Sequence, residues 1–143
     1  LALLRIEGAP LPTLTLSDAP AREGQSVAFM GFPIGGVLGF APVVHRATVS
    51  SIAPIVLPPP NAARLDAAQV SRLRAGPFDI LQLDGTAYPG NSGGPLIDPD
   101  TGVVLGVINM VLVKSGRESL LSQPSGISYA IPVQHLRDLL ARR

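Results

Sequence analysis

The stretch of the sequence best suited to chemistry places one serine, Ser92, among glycines. Gly90 stands two positions before it, Gly93 and Gly94 follow it directly, and Pro95 leads into an apolar run. Glycines allow a sharp turn and a close approach of another chain segment, because they carry no Cβ. Successive backbone N–H groups in such a turn can converge on an oxyanion. The pattern is therefore typical of a nucleophilic serine, and a glycine-rich turn without chemistry is the alternative.

The composition suits one domain built from many short segments. The chain has 143 residues, of which 46% are hydrophobic and 15% charged, and its 15 glycines and 15 prolines follow no period. Such frequent breaks favour an all-β domain. A net charge of +1 gives no electrostatic argument for nucleic acid or an anionic membrane. The absence of cysteine excludes disulfides and thiolate metal sites, and no apolar run approaches the roughly 18 residues of a membrane span.

Short apolar runs between the glycines and prolines predict the secondary structure. Strands are expected at residues 1–6, 27–30, 43–52, 78–83, 96–97, 103–113 and 127–131. Residues 98–102 have the composition of a hairpin turn. Helix signals predict a short helix at 62–75 and a C-terminal helix that has Pro132 at its first position. Strands at this spacing favour a closed β-barrel.

Several stretches, taken in order, resemble HtrA-type members of the trypsin-like (chymotrypsin-fold) serine proteases. The serine turn from Gly90 to Leu96 is the most specific of them. The others are residues 1–6, 14–19, 23–28, 31–33, 47–52, 84–89, 106–109 and 128–132. That family is built from two barrels, with the catalytic His and Asp on the first and the catalytic Ser on the second.

The resemblance implies that this chain is the second, C-terminal barrel of such a protease. Residues 21–131 would form a closed six-stranded antiparallel β-barrel that carries the nucleophile. Residues 1–20 would supply the last strand of the missing first barrel and the connector between barrels, and residues 132–143 the C-terminal helix. The catalytic Asp would stand one residue before Leu1, with the catalytic His further upstream.

The resemblance also assigns roles within the serine turn. Ser92 would be the nucleophile, and the backbone N–H groups of Gly90 and Ser92 would form the oxyanion hole. Asn91 stands where digestive trypsins have an aspartate that binds a freshly cut N-terminus. A carboxamide cannot make that ion pair, so we predict no activation of the trypsin kind.

Five further residues are expected to contact substrate. Thr86 and Ala87 map to the floor of the primary specificity pocket, and Asn109, Met110 and Val111 map to the edge that pairs with a substrate strand. The floor has no carboxylate and Val111 would narrow the entrance, so the resemblance implies small or medium aliphatic side chains. Plain core and edge packing is the alternative for these residues.

Three ionisable side chains could be mistaken for the missing triad members. His45 lies in a predicted strand where the family has no catalytic group, and His135 lies on the polar side of the C-terminal helix or at its edge. Asp84 precedes the serine turn but has no family role as a base. We expect structural or surface roles for His45 and His135, and a loop or capping role for Asp84.

The sequence therefore predicts a serine endopeptidase that cleaves polypeptides through an acyl-enzyme at Ser92, with no metal or other cofactor. It would work with the N-terminal barrel of the same protein, and these 143 residues alone should be inactive. The alternative is a non-catalytic trypsin-like module that binds extended peptides by strand addition; a structural β-domain is a third. The resemblance favours a periplasmic or secreted location and is compatible with a PDZ domain after Arg143 and with a homo-oligomer.

Overall fold

The computed structural model describes residues 1–33, 41–55, 78–109 and 126–142. Its elements in chain order are β1 Ser26–Gly31, β2 Val43–Ile55, β3 Phe78–Asp84, β4 Pro95–Ile97, β5 Val104–Asn109, β6 Ile127–Pro132 and α1 Val133–Ala141. Each predicted barrel strand is present. The predicted short helix at 62–75 lies outside the described residues, as does the far end of the predicted strand 103–113.

The six strands form a closed antiparallel barrel in the order β1-β2-β3-β6-β5-β4. The barrel closes where β4 pairs with β1, and this ladder consists of Ala28 opposite Ile97 and Phe29 opposite Leu96. Prolines and glycines stand near the ends of the apolar runs. Each of the six described strands pairs with two neighbouring strands, so no edge strand remains among them. The predicted closed six-stranded barrel followed by a C-terminal helix is confirmed.

The barrel interior is filled by aliphatic side chains around one aromatic ring, that of Phe29. Burial of each large side chain contributes about 1.5–3 kcal/mol relative to exposure, so the interior rather than any surface contact holds the barrel together. The core consists of Ala21, Val27, Phe29, Val49, Leu81, Leu83, Leu96, Leu105, Ile108 and Ala130.

Two β-bulges change which residues of β2 and β5 face this core. The ladder between β2 and β3 skips Ser50, so that Val49 and Ile52 both pack inward although they lie three positions apart. The ladder between β4 and β5 skips Leu105, and Leu105 and Ile108 both join the core in the same way. An extra residue shifts the inward and outward phase of a strand by one position.

The N-terminal segment differs from the prediction. No strand is present over residues 1–6, and Leu4 and Ile6 are 83% and 69% exposed. The segment is therefore not a strand in the structure described, because none of the described strands pairs with it, and its assignment to a first barrel stays a prediction. The segment first meets the barrel at a parallel bridge, where the amide of Ser17 donates to the Val104 carbonyl at 2.9 Å.

The C-terminal helix α1 packs on β5 and β6 through Val133, which is 3% exposed. Pro132 ends β6 and serves as the N-cap residue, with an extended ψ of 146°, so the helix begins at Val133, one position later than predicted. Arg137 donates to the Ser17 carbonyl at 3.1 Å and pairs with the Asp18 carboxylate, which ties the helix to the N-terminal segment. No helix in the described ranges has the length and apolar content to cross a membrane.

The predicted turn at 98–102 joins β4 to β5 and is organised by Asp98. One carboxylate oxygen of Asp98 accepts the amides of Asp100 at 2.9 Å and Thr101 at 3.1 Å, and the other accepts Gln25 Nε2 at 2.9 Å. Gly102 completes the turn at a φ of +73°. The hydrogen bond from the Thr101 amide, followed by that from Asp100, lowers the pKa of the Asp98 carboxyl below its usual 3.8.

Asp98→Asn should lower the Tm at neutral pH, and the deficit should shrink on acidification. A carboxyl whose pKa is lowered by folding contributes stability above its ordinary pKa of 3.8, and that contribution is lost as the pH falls through the folded value. Calorimetry of the wild type and the variant between about pH 7 and about pH 2 tests this. Asp100→Asn removes the same charge without touching the carboxylate that accepts the turn amides. A deficit of Asp98→Asn that is equal at every pH contradicts the prediction.

Candidate active site

The loop between β3 and β4 exposes Ser92 and buries the residue before it. Asn91 is 0% exposed, whereas Ser92 lies at the surface. The Tyr88 carbonyl accepts the Asn91 amide at 3.0 Å, and the Asn91 carbonyl accepts the Gly94 amide at 3.0 Å. Two successive backbone turns therefore meet at Asn91, and Ser92 is the first inner residue of the second turn, in the glycine setting that the sequence predicted.

Backbone hydrogen bonds hold this loop between β1 and β5. On one side the Phe32 amide donates to the Gly90 carbonyl at 3.1 Å. On the other, the Gly93 amide donates to the Ile108 carbonyl at 2.8 Å, and the Ile108 amide donates to the Gly94 carbonyl at 2.9 Å. Both flanks of the serine are thus fixed by main-chain contacts, which depend little on side-chain conformation.

Two glycines are required by these close contacts. A Cβ on Gly94 would lie 1.9 Å from the Met30 carbonyl oxygen, and one on Gly90 would lie 2.1 Å from the Phe32 carbonyl oxygen. Gly90 also has a φ of +104°. Gly93 has a φ of +86°, but a Cβ there would meet nothing within 4 Å.

Three amides of the loop are committed to backbone carbonyls and are therefore unsuited to an oxyanion hole. These are the amides of Asn91, Gly93 and Gly94. The predicted oxyanion donors, Gly90 and Ser92, lie in the same loop, and their role stays a prediction.

The side chain of Asn91 lies in the interior beside the end of β1. A Cβ on Gly31 would lie 2.6 Å from Asn91 Oδ1, so the fit is close. Both amide atoms of the side chain lack a hydrogen-bond partner among the described residues. An aspartate in this place would need a counter-ion, because burial of an unpaired charge costs far more than burial of a neutral amide. The neutral residue agrees with the prediction that no ion pair is made here.

The predicted substrate residues that the structure describes lie around one end of β5 and β6. Thr86 and Ala87 are half-buried in the segment that follows β3, and the Ala87 amide donates to Ser128 Oγ on β6. Asn109 ends β5 and pairs with Tyr129, the residue that follows Ser128 in β6. The serine loop bonds to β5 one residue before Asn109. Met110 and Val111 lie outside the described residues.

The two histidines pack against aromatic rings. The ring of His45 stacks on that of Phe29 at 4.9 Å and lies 6.1 Å from that of Tyr88, while the His135 ring meets Phe78 edge-on at 5.5 Å. These contacts support the structural roles expected of both histidines. Across the described ranges, no group of His, Cys, Asp or Glu side chains is arranged to hold a metal ion.

Sequence reasoning missed Ser128, which bridges β6 to the segment before the serine loop. Its hydroxyl donates to the Gly85 carbonyl and accepts the Ala87 amide, both at 2.6 Å, and the residue is 5% exposed. The available signal was a polar residue two positions before Ala130, on the face of β6 that alternation turns inward.

Replacing Gly90 by alanine should destabilise the protein more than replacing Gly93. Both have a positive φ, so both variants incur the left-handed strain of about 1–2 kcal/mol, but only Gly90→Ala also drives a methyl group into the Phe32 carbonyl. Urea denaturation of the two variants measures the difference. Equal losses would show that the loop does not lie against β1 as closely as described.

The sequence matches the family described as trypsin-like peptidase domain over residues 1–107. It is 32% identical to a probable periplasmic serine endoprotease, DegP-like, of Halomonas elongata, over 96% of this chain and 24% of that protein. It is 33% identical to the mitochondrial serine protease HTRA2 of Bos taurus, over 99% of this chain and 25% of that protein. The chain therefore spans about a quarter of the length of the curated relatives it matches.

The fold has a counterpart among solved structures. The Rv3671c protease from M. tuberculosis, in its active form, superposes with a TM-score of 0.65 at 22% identity, over 92% of this chain and 48% of that chain. At that identity the likeness concerns the fold, and it agrees with the closed barrel described above. The family match covers β1 to β4, the first part of β5 and the whole serine loop, and the chain belongs to the trypsin-like peptidase domain family.

Proposed function

We propose that this barrel carries the nucleophile of a serine endopeptidase. The observation that carries the proposal is Ser92, which is exposed in the second of two successive turns that main-chain bonds fix to the end of β1 and to β5. The fold fixes the backbone of the nucleophile in this arrangement. Less conformational entropy is therefore lost when the serine reaches the carbonyl of a substrate. The names of the DegP-like and HTRA2 relatives, both serine proteases, support the same chemistry.

Ser92 Oγ attacks the carbonyl carbon of a peptide bond in this proposal. A histidine takes the hydroxyl proton and passes it to the leaving amine, and an aspartate orients that histidine. The tetrahedral oxyanion accepts hydrogen bonds from the amides of Gly90 and Ser92, each such donor being worth about 10²–10³ in rate. Water then hydrolyses the acyl-enzyme.

The histidine and the aspartate are proposed to belong to an N-terminal barrel of the same protein. Leu1, Leu4 and Ile6 are exposed in the chain as described, and a partner barrel would cover them and complete a strand there. His45 and His135 are engaged with aromatic rings, which argues against either as a substitute base. Without its base a serine hydroxyl is a weak nucleophile, so the barrel alone is expected to be inert.

The substrate is proposed to be an extended polypeptide. Thr86 and Ala87 would form the floor of the primary pocket, and the backbone from Asn109 through Val111 would pair with the substrate as an added strand. Neither floor residue is charged, and Ala87 packs against the apolar core. Small or medium aliphatic side chains suit such a floor better than lysine or arginine.

The proposed location is outside the cytoplasm. The DegP-like relatives are described as periplasmic, which supports this, although HTRA2 is described as mitochondrial.

A fluorophosphonate probe on the full-length protein should label Ser92, and Ser92→Ala should abolish labelling and reduce peptide cleavage by about 10⁶-fold. Ser26→Ala, which removes an exposed hydroxyl from β1, is the matched control and should keep both activities. Mass spectrometry of the labelled peptide identifies the site. If the wild type takes no label but still binds extended peptides, the chain belongs to a non-catalytic peptide-binding module instead.

The floor residues should set the preference at the primary pocket. The full-length protein should cleave peptides after valine or alanine with a higher kcat/KM than after lysine. Thr86→Asp would place a carboxylate at the floor and should raise the ratio of lysine to valine cleavage by about tenfold or more. Thr86→Asn is the matched uncharged control. A ratio that Thr86→Asp leaves unchanged places the pocket elsewhere.

A further inference from the structure

We propose that Ser128 is a positioning residue for substrate selectivity, because it fixes the peptide units on both sides of Thr86. This inference rests on the proposed function, since it concerns the pocket of the same site. It assigns a role to a buried hydroxyl on β6, outside the serine loop and outside the predicted substrate contacts.

The contact geometry of Ser128 is specific to a hydroxyl. Its Oγ donates to the Gly85 carbonyl and accepts the Ala87 amide, each at 2.6 Å. A hydroxyl can donate and accept at once. The Gly85 carbonyl belongs to the peptide unit before Thr86, and the Ala87 amide belongs to the unit after it. One atom therefore restrains both backbone dihedral angles of Thr86, and with them the direction of its side chain.

Ser128 is itself firmly held. It is 5% exposed, pairs with Leu83 in the ladder between β3 and β6, and lies two positions from the fully buried core residue Ala130. Ladder pairing and burial leave its hydroxyl little freedom to move away from the segment that it holds.

The same segment has a second anchor at its start. The Gly85 amide donates to the Gly126 carbonyl at 3.0 Å, and a Cβ on Gly85 would lie 2.8 Å from that of Ala47. This anchor fixes where the segment leaves β3. It leaves the Thr86–Ala87 peptide unit to Ser128, whose hydroxyl is the described partner of the Ala87 amide.

The consequence concerns selectivity more than the chemical step. The backbone bonds of the serine loop, to Phe32 at the end of β1 and to Ile108 of β5, do not involve Ser128. Loss of the Ser128 hydroxyl therefore leaves those bonds in place. The proposed pocket floor, in contrast, would lose its fixed backbone. A pocket discriminates between side chains by the fit of its walls, and small misfits change kcat/KM by about 10- to 200-fold.

The test compares Ser128→Ala with Ser128→Cys in the full-length protein. Cysteine is close to serine in shape and keeps only a weak donor, so it should be the milder change if alanine impairs folding. Ser128→Thr keeps the hydroxyl and should restore the wild-type behaviour. Ser50→Ala is the matched control, because it removes another serine bond to a main-chain carbonyl, that of Gln82 at 3.1 Å, away from the serine loop.

Two readouts are measured on every variant. The first is kcat/KM for two peptides that differ only in valine or phenylalanine at the cleaved position; Ser128→Ala should lower the valine preference by about tenfold, with a smaller drop for Ser128→Cys and none for Ser50→Ala. The second is hydrogen exchange of the Ala87 amide, which should become about tenfold faster or more in Ser128→Ala.

The outcomes separate this proposal from the proposed function. An active wild type whose valine preference is unchanged in Ser128→Ala overturns the Ser128 role alone, even if the Tm falls, because a purely structural serine would lower only stability. Unchanged Ala87 exchange overturns it as well. A wild type that neither cleaves nor takes the probe overturns the proteolytic assignment together with the selectivity role, whatever the exchange data show about the bond itself.

Discussion

The contact on which the site depends is the close approach of the serine loop to the end of β1. Main chain lies directly against main chain there, at distances that admit no Cβ on Gly90 or Gly94. Because the loop is also bonded to Ile108 on β5, its shape is inherited from two strands that the apolar core holds in place. The position of Ser92 is thus a property of the barrel as a whole, and the glycines permit this contact without supplying its energy.

The division of chemistry within the proposed enzyme follows from the same arrangement. This barrel can present a hydroxyl and fixed amides, both of which require a rigid main chain. We propose that the proton acceptor comes from outside the barrel, and the packing of the His45 and His135 rings against Phe29 and Phe78 supports this. In that proposal the nucleophile stays ordered, and reactivity depends on the docking of a second unit.

Much of the fold could be predicted from the sequence because glycines and prolines stand at or near the ends of the strands. The turn at 98–102 was predictable for the same local reason, since Asp98 bonds to amides two and three residues away. The conformation of residues 1–6 was not, because an apolar run shows only that a strand is possible and does not show whether another strand pairs with it. The bulges at Ser50 and Leu105 break the alternation that predicts inward residues.

Residues of the candidate site also differ in how far the sequence predicts them. Ser92 was predictable because a nucleophilic turn is formed by residues that are adjacent in the sequence. The role of Ser128 was not, because its two partners lie more than 40 positions away in the chain, and the inward position of a serine in a strand does not show what it bonds to. The burial of Asn91 and the stacking of His45 on Phe29 likewise depend on which strands become neighbours, so the local sequence could not predict them.

The short ladder between β1 and β4 has a consequence for how the protein comes apart. Two residue pairs close the barrel there, and two of the four residues, Phe29 and Leu96, are core residues with no exposed surface. Separation of that seam would admit water to the interior and at the same time free the strand that leads out of the serine loop. Entry of solvent into the core and loss of the loop geometry around Ser92 would thus be one event.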